Sequence, residues 1–159
     1  MAIGFMPASL PLVVGGCFIL FCDWLFFNAG SSWTLTQDKE TNIPALSMMN
    51  TVIAAAGSCT TYAIYQMLKE LYNEYHKREL FQNITLKYDL VSFVGVIMSG
   101  CVSVTASCNN VEPLSAAVIG MIGAAVYESS TILFNKLQID DPLQVSQIHG
   151  FCGAWGVLA

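Results

Sequence analysis

Residues 41–68 read TNIPALSMMNTVIAAAGSCTTYAIYQML and contain no Asp, Glu, Lys or Arg. An α-helix that crosses the hydrocarbon core of a bilayer takes about 20 apolar residues, so this run is long enough to span one. Other charge-free runs cover residues 1–22, 90–111 and 142–159. In the whole chain 55% of the residues are apolar and 11% are charged, whereas soluble domains carry about 25% charged residues. The pattern excludes an ordinary soluble protein and predicts an all-α integral membrane protein.

Polar breaks between the apolar runs divide residues 1–159, taken as one membrane domain, into five predicted transmembrane helices. Their limits are about 8–29, 44–67, 90–108, 114–135 and 143–159, and we expect the last helix to be cut short at the end of the sequence. Pro44 suits a helix start, because the first turn leaves its N–H groups unpaired anyway. Asp140, Asp141 and Pro142 also predict a helix start, since acidic residues complement the N-terminal dipole.

Basic residues predict the orientation of these helices in the membrane. Five of the six Lys and Arg residues lie in the loops at 69–89 and 136–142, which five alternating helices place on one side. Basic loops favour the cytoplasm, so we expect these loops inside and the breaks at 30–41 and 109–113 outside. Asn83 begins a glycosylation sequon, and its cytoplasmic placement predicts that it carries no glycan.

Charge and cysteine usage argue against several kinds of partner. The net charge is −5 and no basic stripe occurs, so we expect no nucleic-acid partner. The six cysteines are scattered through the apolar runs without a C-x-x-C pair. We interpret them as packing residues rather than metal ligands or a disulfide framework, with Cys101 and Cys108 the only pair close in sequence. The N-terminal run lacks a basic segment, so we do not expect a cleavable signal peptide.

The fourth predicted helix carries small residues at helical spacing, which allows another helix backbone to approach closely. This stripe consists of Ala116, Gly120, Gly123 and Ala124. Glu128 continues the same face. A carboxyl group that is hydrogen-bonded to a neighbouring helix explains Glu128 more simply than a transport role does, because ionisable groups in a membrane are costly.

His149 is the most informative ionisable residue. At about 1.5 Å per residue it lies roughly 10 Å beyond Pro142, well inside the bilayer. Histidine is the side chain type whose proton exchanges near neutral pH, and its ring can both donate and accept hydrogen bonds. Gly150, Gly153 and Gly156 recur every three residues and leave one flank of the helix nearly bare. The residue chemistry alone leaves open a pore or proton-relay histidine, a structural histidine and a metal ligand.

The end of the first predicted helix has a second arrangement of interest. Trp24, Phe27 and Ser31 lie at positions i, i+3 and i+7, so they share one helix face. Aromatic faces attract cations, and a serine hydroxyl can accept a hydrogen bond from an ammonium group. An aromatic belt at the membrane interface is the simpler alternative.

Four short motifs occur in order along the chain. Residues 140–156 read DDPLQVSQIHGFCGAWG, Trp24 precedes FNAGS at 27–31, Asn50 precedes Thr51, and VTASC at 104–108 precedes VEP at 111–113. Their order and spacing resemble the Amt/Rh/Mep family of ammonium transporters over nearly the whole chain. The VEP and AWG details look more like eukaryotic ammonium transporters than Rhesus proteins.

This resemblance implies a homotrimer of eleven-helix protomers, in which helices one to five and six to ten are inverted repeats around a narrow pore. The chain resembles the second repeat, from helix six to the start of helix ten. The resemblance further implies transport of ammonium or ammonia across a plasma or similar membrane, in contact with lipid. It implies no enzymatic activity, no cofactor and no metal.

The resemblance also assigns roles to individual residues. Ser31 corresponds to an outer serine that recruits ammonium, Phe27 to a phenylalanine that gates the pore, and Trp24 to a pore-lining residue. His149 corresponds to the second of two facing histidines at mid-membrane, the first of which lies upstream in the family. The remaining matched positions belong to structural motifs: Asn28, Gly30, Asp140, Asp141, Pro142, Gly150, Gly153 and Gly156.

Three positions depart from the family pattern. Asp23 and Phe26 stand where the family has glycine, and Gln144 replaces an acidic residue. A carboxylate one turn before Phe27 could attract cations or obstruct close packing. A truncated, non-conducting structural or regulatory membrane subunit is therefore the alternative to a transporter.

Overall fold

The computed structural model describes residues 7–32, 42–77 and 89–159, and all regular secondary structure in these residues is helical. The predicted all-α fold is therefore confirmed. The helices are α1 (Leu10–Gly30), α2 (Ile43–Lys77), α3 (Leu90–Val104), α4 (Pro113–Leu137) and α5 (Cys152–Leu158). A single π-helical turn, Ser146–Phe151, leads directly into α5 and is called the π-turn below.

Three of these helices, α1, α2 and α4, are long and apolar enough to cross a membrane. Helix α3 is apolar but shorter, with 15 residues. It ends at Val104, whereas the sequence predicted a helix to residue 108. Residues 105–110 form turns instead, and the carbonyl oxygens of Cys108 and Val111 accept hydrogen bonds from the Asn50 side chain, each at 2.8 Å. These bonds to α2 stabilise a non-helical backbone.

The sequence predicted an apolar helix to about residue 67 and allowed the first half of the following polar segment to extend it by a turn or two. Helix α2 does extend, to Lys77. The added segment, KELYNEYHK at residues 69–77, is polar but rich in Lys and Glu, which are good helix formers. Hydropathy marks the end of the apolar stretch, whereas propensity allows the helix to continue beyond it. The basic residues Lys69 and Lys77 therefore lie on the last turns of this helix.

Close helix contacts depend on the small residues that the sequence predicted. Ala116, Gly120, Gly123 and Ala124 are all buried on α4, which packs against α2 and α3. A Cβ on Gly120 would collide with the Ala54 carbonyl oxygen of α2. Only glycine permits this approach, so the predicted packing stripe is confirmed.

Two buried serines form hydrogen bonds between helices within this apolar core. Ser58 of α2 donates to the Val96 carbonyl at 2.8 Å, and its oxygen lies 3.0 Å from that of Ser99. In hydrocarbon an unsatisfied polar group is costly, so these bonds join α2 to α3. All six cysteines are free. Four of them, including Cys101 and Cys108, are buried, in agreement with a packing role, whereas Cys22 is exposed.

Candidate functional site

Trp24 lies between the two predicted parts of the site. Its ring centroid is 5.9 Å from that of Phe27 on the same helix and 5.8 Å from that of His149 in the π-turn. Phe27 and His149 are exposed, and Trp24 is partly buried. The structure thus brings an aromatic pair from α1 and a histidine from the far end of the sequence into one row of rings, here called the ring row.

Thr105 holds the Trp24 indole in this position. The indole Nε1–H donates to Thr105 Oγ1 at 2.8 Å, and the same hydroxyl donates to the Cys101 carbonyl at 2.8 Å. A threonine hydroxyl has one proton and can also accept, so it serves both bonds at once. The sequence marked Thr105 only as part of a family motif and did not indicate this contact, which joins α1 to the end of α3.

Ser31 lies just beyond the ring row, at the C-terminal end of α1. Its hydroxyl donates to the Phe27 carbonyl at 2.7 Å, and its backbone N–H donates to the same oxygen at 3.0 Å. Because the hydroxyl proton is used in this bond, the exposed oxygen can act only as an acceptor. The C-terminal helix dipole adds partial negative charge at this place. Both features suit a positively charged donor such as ammonium.

Asn28 fixes the rotation of α1 about its axis. It is 1% exposed, and its side-chain nitrogen donates to Thr51 Oγ1 of α2 at 2.9 Å. Thr51 in turn donates to the Ser47 carbonyl at 2.7 Å. Because Asn28 faces α2, its neighbour Phe27 is directed outward and is 54% exposed. Two matched family positions, Asn28 and Thr51, thus bond to each other.

Asp141 organises the start of the last helix. Its carboxylate accepts the N–H groups of Val145 at 3.1 Å and Ser146 at 2.8 Å. The Gln147 amide, with its nitrogen facing Asp141, donates to the same carboxylate at 2.7 Å. A carboxylate that satisfies the free donors of a first turn stabilises the helix start.

The other two residues of the DDP motif lie outside the regular helix. Asp140 precedes the cap, and Pro142 lies in a turn. Regular helical structure begins only at Val145, whereas the sequence predicted residue 143. The delay has a local cause, because Gln144 adopts a left-handed φ of 56° that no α-helix accommodates.

The four predicted structural glycines have different surroundings. A Cβ on Gly156 would collide with the Ser103 carbonyl oxygen of α3, so that position requires glycine. A Cβ on Gly153 would make an ordinary contact of 3.8 Å with Val102, and one on Gly150 would meet nothing within 4 Å. Gly30 of α1 is equally open. Of these four glycines, only Gly156 is explained by close helix packing.

The geometry defines a class of protein: a helical membrane protein in which aromatic rings, a hydroxyl acceptor and a histidine lie close together. The chain belongs to the Ammonium Transporter Family, whose sequence model matches residues 2–159. It is a multi-pass integral membrane protein of that family.

Individual relatives agree with this assignment. The chain is 31% identical to Ammonium transporter 1 member 2 of Arabidopsis thaliana over 150 residues, which cover 94% of this chain and 28% of the relative. It is 32% identical to Ammonium transporter 3 of Dictyostelium discoideum over 159 residues, or 96% of this chain and 33% of the relative. The chain therefore spans about a third of the length of these relatives.

Solved structures show the same partial match. The fold superposes on a Sensor Amt Protein with a TM-score of 0.70 and 30% identity, covering 95% of this chain and 33% of that one. It also superposes on Mep2 of Saccharomyces cerevisiae with a TM-score of 0.70 and 30% identity, covering 94% of this chain and 29% of that one. The helical arrangement described above is thus that of part of an Amt or Mep protein.

Proposed function

We propose that this chain supplies one wall of a pore that conducts ammonium or ammonia across a membrane. The observation that carries the proposal is the position of Trp24, whose ring contacts both Phe27 and His149. An aromatic belt at the membrane interface does not require a histidine beside its tryptophan. A continuous path from an outer aromatic ring to an inner proton acceptor requires the two to be in contact. The contact of Trp24 with His149 therefore favours the pore over the belt.

The residues suggest an order of events along the row. Ammonium is first captured outside, where the Ser31 oxygen accepts one of its N–H bonds and the Phe27 and Trp24 rings attract its charge. These groups replace water around the ion. Farther in, the His149 imidazole accepts a hydrogen bond or a proton as the nitrogen passes. The family resemblance supplies a second, facing histidine from the rest of the pore.

The wider arrangement is also part of the proposal. The complete protein forms a homotrimer in the plasma membrane, with residues 69–89 in the cytoplasm. The α2 extension supports this orientation, because it carries the basic residues Lys69 and Lys77 on a helix end. Lipid surrounds the outer helices, and the transported species is ammonium or ammonia.

The alternative is a non-conducting subunit of the same family. It is favoured by Asp23 and Phe26, which depart from the family pattern and are both exposed on the helix that carries Phe27. A carboxylate and a large ring on this helix could narrow the pore. Uptake measurements on the complete protein decide between the two functions.

The deciding experiment substitutes His149→Ala in the complete protein, expressed in cells that lack their own ammonium transporters. The matched control is His76→Ala, because His76 is the only other histidine of the chain and lies in the polar last turns of α2. We expect methylammonium uptake to be lost in the first variant and kept in the second, with equal amounts of trimer at the membrane. Unchanged uptake in His149→Ala would refute the pore role, and no uptake in the unaltered protein would favour the non-conducting subunit.

A further inference from the structure

The hydroxyl group of Tyr127 joins three parts of the fold at one point. Tyr127 is fully buried on α4, and its hydroxyl donates a hydrogen bond to Oε1 of Gln144, just before the π-turn. A Cβ on Gly95 of α3 would collide with the same hydroxyl. The tyrosine therefore reaches Gln144 through a gap that exists only because α3 has glycine at this position.

Gln144 has a backbone that depends on such support. Its φ is 56°, in the left-handed region that residues with a Cβ rarely adopt. A conformation of this kind persists when surrounding contacts hold it in place. The Gln144 N–H donates to the Asp141 carbonyl at 3.0 Å and closes the turn on one side. The Tyr127 bond holds the side chain on the other.

Gln144 directly precedes the helical segment that begins at Val145 and contains the π-turn. Its carbonyl accepts the Ile148 N–H at 3.0 Å, while Cys152 N–H bonds to the Gln147 carbonyl five residues back, which is π rather than α spacing. At 3.6 residues per turn, one extra residue in a turn rotates the rest of the helix by about 100°. If the π-turn relaxed to an α-turn, His149 would no longer face Trp24.

We propose that Tyr127 is a positioning residue for His149, which acts by holding Gln144 so that the π-turn places the imidazole against Trp24. This inference rests on the proposed function, because it explains how a residue assigned to the pore is oriented. Tyr127 acts through Gln144 and the backbone, and it takes no part in binding ammonium. Gln144 departs from the family pattern, which has an acidic residue at this position. Its amide oxygen nevertheless accepts the hydrogen bond of the Tyr127 hydroxyl, as a carboxylate oxygen would.

Uptake by the complete protein gives the first test. Tyr127→Phe removes only the hydroxyl, and loss of one such bond should lower maximal uptake about fivefold. The apparent KM should stay unchanged, because outer capture at Ser31 is untouched. Gln144→Leu should have the same effect, whereas Gln144→Glu should retain uptake. Ser129→Ala is the control, since it removes a hydroxyl of α4 that bonds only within its own helix, to the Ala125 carbonyl at 2.7 Å.

A second readout needs no transport. An imidazole in contact with an indole quenches its fluorescence, so the rise in tryptophan fluorescence of the purified protein on His149→Ala reports the contact between His149 and Trp24. His149→Ala should cause no such rise when it is added to Tyr127→Phe or to Gln144→Leu. Because the fluorescence is measured on purified protein, it distinguishes a failure of this inference from a failure of the transport function.

Each result supports or overturns the proposal. Uptake and fluorescence in Tyr127→Phe equal to those of Ser129→Ala would overturn it, as would a rise in KM with unchanged maximal uptake. If Tyr127→Phe does not yield folded protein, Gln144→Leu decides, because it removes the acceptor from a partly exposed side chain. A Gln144→Leu protein with intact uptake and quenching would then overturn the proposal.

Discussion

Thr105→Val tests whether the orientation of Trp24 matters for transport. Valine has nearly the shape of threonine, so the substitution removes a hydroxyl and leaves the volume of the site almost unchanged. It deletes the acceptor of the Trp24 Nε1–H bond, which is 2.8 Å long and partly buried. Leaving a buried donor without a partner costs about 1 to 3 kcal/mol, and the indole can escape that cost only by turning away.

The expected loss of uptake is derived from this figure. If the indole turns and gives up an interaction of about 1 kcal/mol with the ion, transport falls about fivefold, since about 1.4 kcal/mol corresponds to about tenfold. If the indole instead stays in place with its N–H unpaired, the cost falls on the stability of the folded protein, and less of it should reach the membrane. Turning of the indole disturbs the ring row at its centre, because Trp24 is the residue that contacts both Phe27 and His149.

The assay is methylammonium uptake by the complete protein in cells without other ammonium transporters. Thr60→Val is the matched control, since Thr60 bonds to its own helix at the Ala56 carbonyl at 2.8 Å, as Thr105 does at Cys101. Thr105→Ser keeps the hydroxyl and should restore uptake. If Thr105→Val transports as well as Thr60→Val, the tether to Trp24 has no part in transport.

Three further outcomes are expected. Gly120→Ala should sharply reduce the yield of folded protein in detergent, because the added Cβ would collide with a backbone carbonyl of α2. Gly30→Ala is the control, since a Cβ at Gly30 meets open space and should not change the yield. Equal yields of the two variants would contradict the close packing. Replacing Asp23 and Phe26 by glycine should raise uptake if they narrow the pore, and a fall would show that the chain is adapted to them. Asn83, which lies outside the described residues, should carry no glycan in a eukaryotic secretory membrane, and a mobility shift removed by a glycosidase would reverse the proposed topology.

The sequence predicted the helices better than it predicted their ends. Apolar runs locate the helices because a membrane or an apolar core demands continuous hydrophobicity. Helix ends depend on individual bonds that hydropathy does not register. The side chain of Asn50 stabilises turns after α3, and the left-handed Gln144 delays the last helix to residue 145.

The contacts of the candidate site were also predictable from the sequence only in part. Helical spacing alone places Trp24 and Phe27 on one face, so their contact could be expected. The contact of Trp24 with His149 depends on tertiary packing between the first and last helices, and residue chemistry left His149 open to several roles. The roles of Thr105 and Tyr127 could not be identified at all, because a threonine or a tyrosine in an apolar run says nothing about which distant side chain it bonds.

The exposure of the ring row bears on what must lie against it. Lipid would suit Phe27 alone, since hydrocarbon accepts an aromatic ring. It does not suit His149, because an ionisable ring in hydrocarbon is costly and such residues face a protein interior or a water-filled cavity. The two residues are joined through Trp24, so one surface must accommodate both. A narrow pore that has aromatic walls and polar groups opposite His149 would accommodate both Phe27 and His149. His149 is therefore the residue of the ring row that favours a pore over lipid.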